Sequence, residues 1–548
     1  MACGLVVVLV ATGIAVSVAI HRAEPMLRAL IVEKLSEHFH ARVELDSFHV
    51  SLVEGVTAEG KGLRIWPPAQ VAGVAVPETN GAAAADSEAP LIRLAEFRFH
   101  APLHYTPGKP IRISVVQLKG LEVDIPPKTH FAHAALEKRQ SGSQGGASSA
   151  LVHFAVSNIE CKDAHLTLET DKPGKLPLEF SIAQIKLTGV NAGGSMHFDA
   201  ELTNPRPPGV IHSSGSLGPW AVDDPGETPV AGTYRFDHAD LGVFKGIAGI
   251  LSSTGKYEGV LRDLVVDGET DTPDFRLTHF GTALPLHTVF HAHVDGTNGD
   301  TWLQPVVATL GQSHFTAVGK IVRQKAETLK NGRTLPGGHE IALTVNVDHG
   351  RMEDFLRLAS HSGTPLLTGD LTLKTSLEIP PGTDPVVERL KLNGSFALDN
   401  AEFTSEKIQD SIGQLSLRGQ GDAKEAKHGG NADVLSAMQG DFTMASETVT
   451  LSDLKYTVPG AEIDLKGTYG VDGGVLNFAG TARTEAKVSQ LVGGWKGLLL
   501  KPADRLFEKN GAGTQVPIHI SGTREDPKFG VDFGHMKHTS PQVPGEPK

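Results

Sequence analysis

The sequence predicts a mainly β protein, an elongated, curved, mostly antiparallel β-sheet groove with an N-terminal transmembrane helix and a few short helices. Apolar and polar residues alternate along most of the chain from Leu151 to about Phe533, which is typical of strands with one apolar face. Gly (61) and Pro (33) are abundant, and aromatic residues make up only 6%. This composition favours many short elements joined by turns. A chain of 548 residues also exceeds what one compact core usually organises.

The alternation is clearest in three segments, LLTGDLTLKTSLEI, IALTVNVD and VPIHIS. Successive side chains of a strand point to opposite faces, so each segment has one apolar and one polar face. Too few helices are predicted to cover such a long apolar face, which must close on itself or hold an apolar ligand. The candidate lipid-groove residues are Ile341, Leu343, Val345, Val347, Leu371, Leu373, Leu377, Ile379, Val516, Ile518 and Ile520.

Four helices are predicted from apolar residues at helical spacing: Glu24 to about Phe39, Ala239 to Leu251, Arg351 to Ala359, and Ala486 to about Lys509. The last helix either packs over the end of the groove or lies in a membrane interface. Its apolar stripe consists of Val488, Leu491, Val492, Trp495, Leu498 and Leu499. The segment GQLSLRGQG, which begins at Gly413, is predicted to be a strand.

An uncharged apolar run extends from Gly4 to Ile20. It is long enough for a transmembrane anchor, and it also fits a signal peptide that ends at Ser17-Val18-Ala19. Both interpretations place residues from about Arg22 onward outside the cytoplasm.

Composition shifts suggest five regions. We expect an anchor or signal peptide (1–21), an N-terminal helix-plus-strands region (22–137), a linker (138–150), a β-groove body (151–535) and a disordered tail (536–548). The linker has the sequence KRQSGSQGGASSA, which is poor in apolar residues.

The formal net charge of −13 argues against nucleic acid as a partner, because no cluster of Lys and Arg is present to contact phosphates. The two cysteines, Cys3 and Cys161, cannot form a disulfide framework or a Cys-based zinc site. No cofactor is predicted.

The motif that most suggests an enzyme is HTVFHAHVDG. His291, His293 and Asp295 match the beginning of the metallo-β-lactamase motif His-x-His-x-Asp-His, but Gly296 stands where the last histidine is required. An alternating strand explains the same residues, so we predict neither a metal site nor catalytic residues. A metal-dependent hydrolase remains the third hypothesis.

Two segments resemble the AsmA-like family of envelope proteins, whose wider group includes TamB-like proteins. VELDSFHVSL (Val43 to Leu52) and GVTAEGKGLRI (Gly55 to Ile65) are similar to the family's first strands. GAGTQVPIHISGTREDPKFGVDF, from Gly511 to Phe533, resembles its terminal strand and Ile-x-Gly-Thr-x-x-x-Pro turn. The chain departs from the family at His40 and Ala41, where a glycine is common.

The resemblance implies a single-pass protein of the bacterial inner membrane, anchored through residues 4–20, with most of the chain in the periplasm. We therefore expect a non-enzymatic groove that binds or conducts phospholipid acyl chains for outer-membrane lipid homeostasis. The alternative hypothesis is an envelope scaffold that contacts outer-membrane assembly proteins.

Overall fold

A computed structural model describes the chain between residues 24 and 531. The gaps in this description are 26–27, 30, 34, 37–40, 52–55, 67–89, 102–110, 126–153, 171, 191–193, 206, 222–223, 279–281, 330–333, 359–364, 430–433, 472–473, 488, 491–513 and 524–525.

One large sheet dominates the structure and curls into a half-barrel, which confirms the mainly β prediction. Its strands are β1 (Val43–Ser51), β2 (Val56–Ile65), β3 (Ile92–Ala101), β4 (Ile111–Ile125), β5 (Phe154–Leu168), β6 (Leu178–Thr188), β7 (Met196–Pro205), β8 (Pro208–Leu217), β9 (Pro229–Asp240), β10 (Ile247–Ala248), β11 (Ile250–Val260), β12 (Asp263–Leu277), β13 (Leu284–Val294), β14 (Thr301–Leu310), β15 (Ser313–Gln324), β18 (Gly338–Arg351), β19 (Leu367–Ile379), β20 (Lys391–Phe403), β21 (Ser436–Ala445), β22 (Thr448–Val458), β23 (Ala461–Gly470), β24 (Val475–Thr484), β25 (Thr514–Thr523) and β26 (Pro527–Val531). A separate two-stranded ribbon consists of β16 (Glu327–Thr328) and β17 (Thr334–Leu335).

Neighbouring strands of the sheet are mostly consecutive in the chain and antiparallel, as expected where short turns connect them. The exception is the pair β4 and β5, which is parallel. These two strands lie on either side of the predicted linker (138–150), which falls outside the described residues. The N-terminal region and the body therefore share one sheet.

Three short α-helices are described: α1 (Met352–Leu358), α2 (Val386–Arg389) and α3 (Glu406–Gln420). Helix α1 confirms the prediction for Arg351 to Ala359. The N-terminal prediction is supported where the structure describes it, because residues 24–25, 28–29, 31–33 and 35–36 are helical.

The prediction of a helix from Ala239 to Leu251 is wrong. Strand β9 continues to Asp240, a single 3₁₀ turn follows, and β11 begins at Ile250. Gly246 and Gly249 have φ angles of 102° and 143°, which an α-helix cannot contain. The segment therefore turns the chain from one strand into the next.

The prediction of a strand in GQLSLRGQG is also wrong, because these residues form the second half of α3. Ile408, Ile412 and Leu415 recur at helical spacing and pack against the sheet. Gly421 ends the helix in the left-handed conformation (φ 98°), and its N–H donates to the carbonyls of Leu417 and Arg418.

Candidate functional site

Two of the predicted groove segments are adjacent strands, β18 and β19, and their apolar residues lie on one face. Leu343 is paired with Leu377, and Ile341 with Ile379. Directly paired residues of antiparallel strands point to the same side of the sheet. Further along, Val345 is opposite Thr375, Val347 is opposite Leu373, and a bulge brings Leu371 opposite Gly350.

The third predicted segment lies in β25, and the pairings from β19 to β25 place it on the same face. Val516 is opposite Ala482, Ile518 is opposite Gly480, and Ile520 is opposite Phe478. We call this face of the sheet the inner face.

A single row of directly paired residues follows the inner face across the whole sheet, with one residue from every long strand. Not one residue of this row is charged. In sheet order the row is Val50, Ala58, Phe99, Val116, Ile159, Leu187, Phe198, Gly215, Gly232, Tyr257, Val266, Ala292, Leu303, Gly319, Leu343, Leu377, Leu392, Met444, Val449, Tyr469, Leu476, Gly522 and Pro527.

The neighbouring row, one residue along each strand, lies on the outer face and has the opposite chemistry. From β18 to β26 it consists of Thr344, Ser376, Asn393, Thr443, Thr450, Thr468, Asn477, Ser521 and Lys528, all of them polar. Ion pairs such as Arg483 Nη2 to Asp464 Oδ2 (3.1 Å) also lie outside. From β18 to β26 the two rows therefore differ: the inner row is uncharged and mostly apolar, and the outer row is polar.

The inner face is concave, because residues of distant strands approach one another across it. Leu277 at the end of β12 packs against the cluster around Met444 of β21, and both side chains lie on the inner face. Two positions on one face can meet only where the sheet curls toward that face. Mid-strand glycines permit the curl, since a Cβ on Gly394 or Gly480 would overlap backbone atoms of the adjacent strand.

Helices cover only parts of the inner face. Met352, Phe355 and Leu356 of α1 pack over one end of β18 and β19, where Val347 (0% exposed) and Leu371 (5%) are buried. Helix α3 packs in the same way over Tyr456 and its neighbours. The remaining predicted positions on these strands, including Ile341, Leu343, Val345, Leu373, Leu377 and Ile379, are only partly buried.

The two ends of the strands form two rims, and these rims touch each other. The β5–β6 turn at one rim meets the β13–β14 turn at the opposite rim. Lys172 pairs with Asp295 there, and Lys175 Nζ lies 3.0 Å from Asp300 Oδ2. The backbone N–H of Lys325 donates to the carbonyl of Gly174 (2.7 Å) across the same contact. We call this contact the rim latch.

Asp295 is held in place at the rim latch and is not directed toward His291 and His293. Its carboxylate accepts hydrogen bonds from the Thr297 N–H (2.9 Å) and from Asn298 Nδ2 (2.9 Å). Burial alone would raise the pKa of Asp295, but the hydrogen bonds from Lys172 and Thr297 outweigh this effect and hold the pKa below its usual range.

His291 and His293 lie on the outer face and pair with other carboxylates. His291 Nδ1 is 2.7 Å from Asp267 Oδ1, and His293 Nδ1 is 3.0 Å from Asp263 Oδ1. The three residues of the apparent metal motif therefore have separate partners. Within the described part of the chain, no three His, Cys, Asp or Glu side chains are grouped as metal ligands.

The predicted C-terminal stripe (Val488, Leu491, Val492, Trp495, Leu498 and Leu499) and the predicted anchor (Gly4 to Ile20) lie outside the described residues. Among the residues that are described, no helix has the length and apolar character needed to cross a bilayer.

Comparison of the chain with protein-family models, with curated proteins and with solved structures finds no match.

Sequence reasoning missed three features of the sheet: the cover that α3 provides, the rim latch, and a group of hydroxyl side chains on the inner face of β8, β9 and β11. Helix α3 has a sequence signal in Ile408, Ile412 and Leu415, followed by Gly421. The other two depend on long-range contacts that no local pattern encodes.

Proposed function

We propose that the inner face binds or conducts the acyl chains of phospholipids, in a membrane-anchored periplasmic protein of outer-membrane lipid homeostasis. The observation that carries this proposal is the uncharged row that crosses the sheet from Val50 to Pro527. An acyl chain can lie against such a surface without burying any polar group, whereas a polar polymer would have to bury polar groups without hydrogen-bond partners.

Burial of acyl chains provides the driving force. Each methylene removed from water contributes roughly 0.8 kcal/mol. Leu343, Leu377, Leu392 and Leu476 are only partly buried within the protein, so their side chains offer surface to a ligand. The polar headgroups would remain at the rims, where the side chains are polar and charged.

Partial exposure of these residues also favours the groove over the alternative of an assembly scaffold. An assembly scaffold does not need an exposed apolar interior. A second layer packed against the inner face would have favoured the scaffold hypothesis. The hydrolase hypothesis has less support still, because His291 and His293 are on the outer face and Asp295 is at the rim latch. The resemblance to AsmA-like proteins agrees with the groove and remains a resemblance.

Native mass spectrometry of the detergent-extracted protein tests this proposal. We expect the protein to retain phospholipid, with masses that differ by acyl-chain length. Protein that carries no lipid after mild extraction, and takes up none from phospholipid vesicles, would contradict the proposal and favour the scaffold.

A further inference from the structure

Four hydroxyl side chains form two linked pairs on the inner face of β8, β9 and β11. Tyr257 Oη lies 2.7 Å from Ser213 Oγ, and Tyr234 Oη lies 3.0 Å from Ser253 Oγ. The strand pairings place all four residues on the inner face, beside the uncharged row. This stretch of the groove therefore contains polar atoms but no charge.

The direction of each hydrogen bond follows from the serine partners. Ser213 Oγ is 3.1 Å from the carbonyl oxygen of Thr233, and Ser253 Oγ is 2.8 Å from that of Glu269. A carbonyl oxygen only accepts, so each serine donates its one hydrogen to the backbone. Each tyrosine must then donate its own hydrogen to its serine.

The phenol oxygens of Tyr234 and Tyr257 consequently present only lone pairs to the groove. Burial raises the pKa of both phenols, so each remains uncharged at neutral pH. Lone pairs of this kind are satisfied by a ligand that donates hydrogen bonds, and not by a carbonyl or an ester oxygen.

Glycines keep the two rings low on the sheet. The ring of Tyr234 crosses Gly255 and reaches Gly268, and the Tyr257 phenol lies over Gly232; a Cβ at any of these glycines would collide with the ring. Upright rings would fill the concave side at this point. Both tyrosines are only partly buried, so part of each side chain remains open to a ligand.

The rim latch adds to the argument, because strands β8 to β12 lie between the two turns that it joins. The rims meet at the border of this stretch. A polar group bound here therefore has uncharged hydroxyl partners inside the groove, in addition to the charged side chains at the rims.

We infer that Tyr234 and Tyr257 form a polar subsite that accepts hydrogen bonds from the uncharged hydroxyl groups of an amphiphile, such as those of a glycerol moiety. This inference rests on the proposed function, since the acyl chain of the same ligand occupies the adjoining apolar surface.

The test compares two probes with the same acyl chain, 1-monolauroylglycerol and methyl laurate. Both would displace a fluorescent acyl probe from the full-length protein in detergent. We expect monolauroylglycerol to bind about three- to tenfold more tightly than methyl laurate, as about one hydrogen bond would produce. In a Tyr234→Phe/Tyr257→Phe variant this preference should disappear, because the affinity for monolauroylglycerol should fall to that for methyl laurate.

The matched control is Tyr469→Phe, because Tyr469 lies on the inner face of β23, far from the subsite along the sheet. This variant should keep the preference. An equal affinity for the two probes in the parent protein, or a preference that persists in the double variant, overturns the subsite and leaves the acyl groove intact. Failure of both probes to bind the parent protein contradicts the acyl groove itself.

Discussion

Lys175 and Asp300 lie 125 residues apart in the chain, yet their side chains form an ion pair of 3.0 Å. Only 18% of the lysine side chain and 6% of the aspartate side chain are exposed. The pair joins a turn at one rim of the sheet to the turn at the opposite rim. The curled shape therefore depends on contacts between rims as well as on the twist of the strands.

We predict that Lys175→Ala weakens the rim latch, because Asp300 would lose the cation that compensates its buried carboxylate. The free energy of unfolding should fall by about 1–3 kcal/mol. Hydrogen exchange at the Lys325 amide, which bonds to Gly174 across the contact, should become faster.

The control for this experiment is Lys391→Ala, which removes an exposed pair with Glu378 (3.4 Å) on the outer face. It should cost no more than about 1 kcal/mol and leave exchange at Lys325 unchanged. If Lys175→Ala does not speed exchange at Lys325, the rims are not held together by this pair.

The depressed pKa of Asp295 predicts how the rim latch responds to acid. A carboxylate whose pKa is lower in the folded state stabilises the fold above its unfolded value of about 4, and this contribution is lost as the pH falls through the folded value. The stability difference between the parent protein and Asp295→Asn should be constant above about pH 5 and shrink below about pH 4. Urea denaturation across this range measures the stability difference. A difference that stays constant to pH 3 would contradict a lowered pKa of Asp295.

Gly394 tests the curvature of the sheet. A Cβ at this position would overlap the carbonyl oxygen of Lys374 and the backbone of Thr375, so Gly394→Ala should destabilise the protein by about 1–3 kcal/mol. At Gly470 the nearest atoms to a Cβ are 3.9 Å away, and Gly470→Ala should change stability by no more than about 0.5 kcal/mol. If Gly394→Ala and Gly470→Ala lower the thermal unfolding temperature equally, strand β19 does not approach Gly394 closely and the sheet is not sharply curled there.

Much of the inner face could be predicted because alternation is a local property of a strand. The residues named from IALTVNVD, LTLKTSLEI and VPIHIS lie on one face, because directly paired residues of antiparallel strands point to the same side of the sheet. Their role in binding lipid stays a prediction. The rim latch could not be predicted, because it joins turns more than a hundred residues apart and neither turn has a distinctive pattern.

The two helix errors have a common physical cause. In the segment from Ala239 to Leu251, apolar spacing suggested a helix, but three glycines made turns less costly than helix formation. In α3, the alternation of Leu415 and Leu417 suggested a strand, although Ile408 and Ile412 continue a helical stripe. A short apolar pattern does not by itself decide between helix and strand. The glycines within the first segment and the apolar residues before GQLSLRGQG decide it.

The most direct test of the central claim uses two adjacent residues of β19. Leu377 belongs to the uncharged inner row, and Ser376 belongs to the polar outer row. A photoreactive amino acid at Leu343, which is opposite Leu377 and partly exposed, would report contact with an alkyne-tagged phospholipid. Leu371 is less suitable for the probe, because α1 covers it.

The measurement is the yield of lipid crosslinked at position 343 in the parent protein, in Leu377→Asp and in Ser376→Asp, each shown to be folded by its cooperative urea transition. A carboxylate on the inner face must remain hydrated or take up a proton, so acyl chains should leave this stretch. We expect crosslinking to fall about tenfold or more in Leu377→Asp, at a cost to binding of at least about 1.4 kcal/mol, and to be unchanged in Ser376→Asp. A folded Leu377→Asp protein that crosslinks lipid as well as the parent protein would contradict the acyl-binding groove.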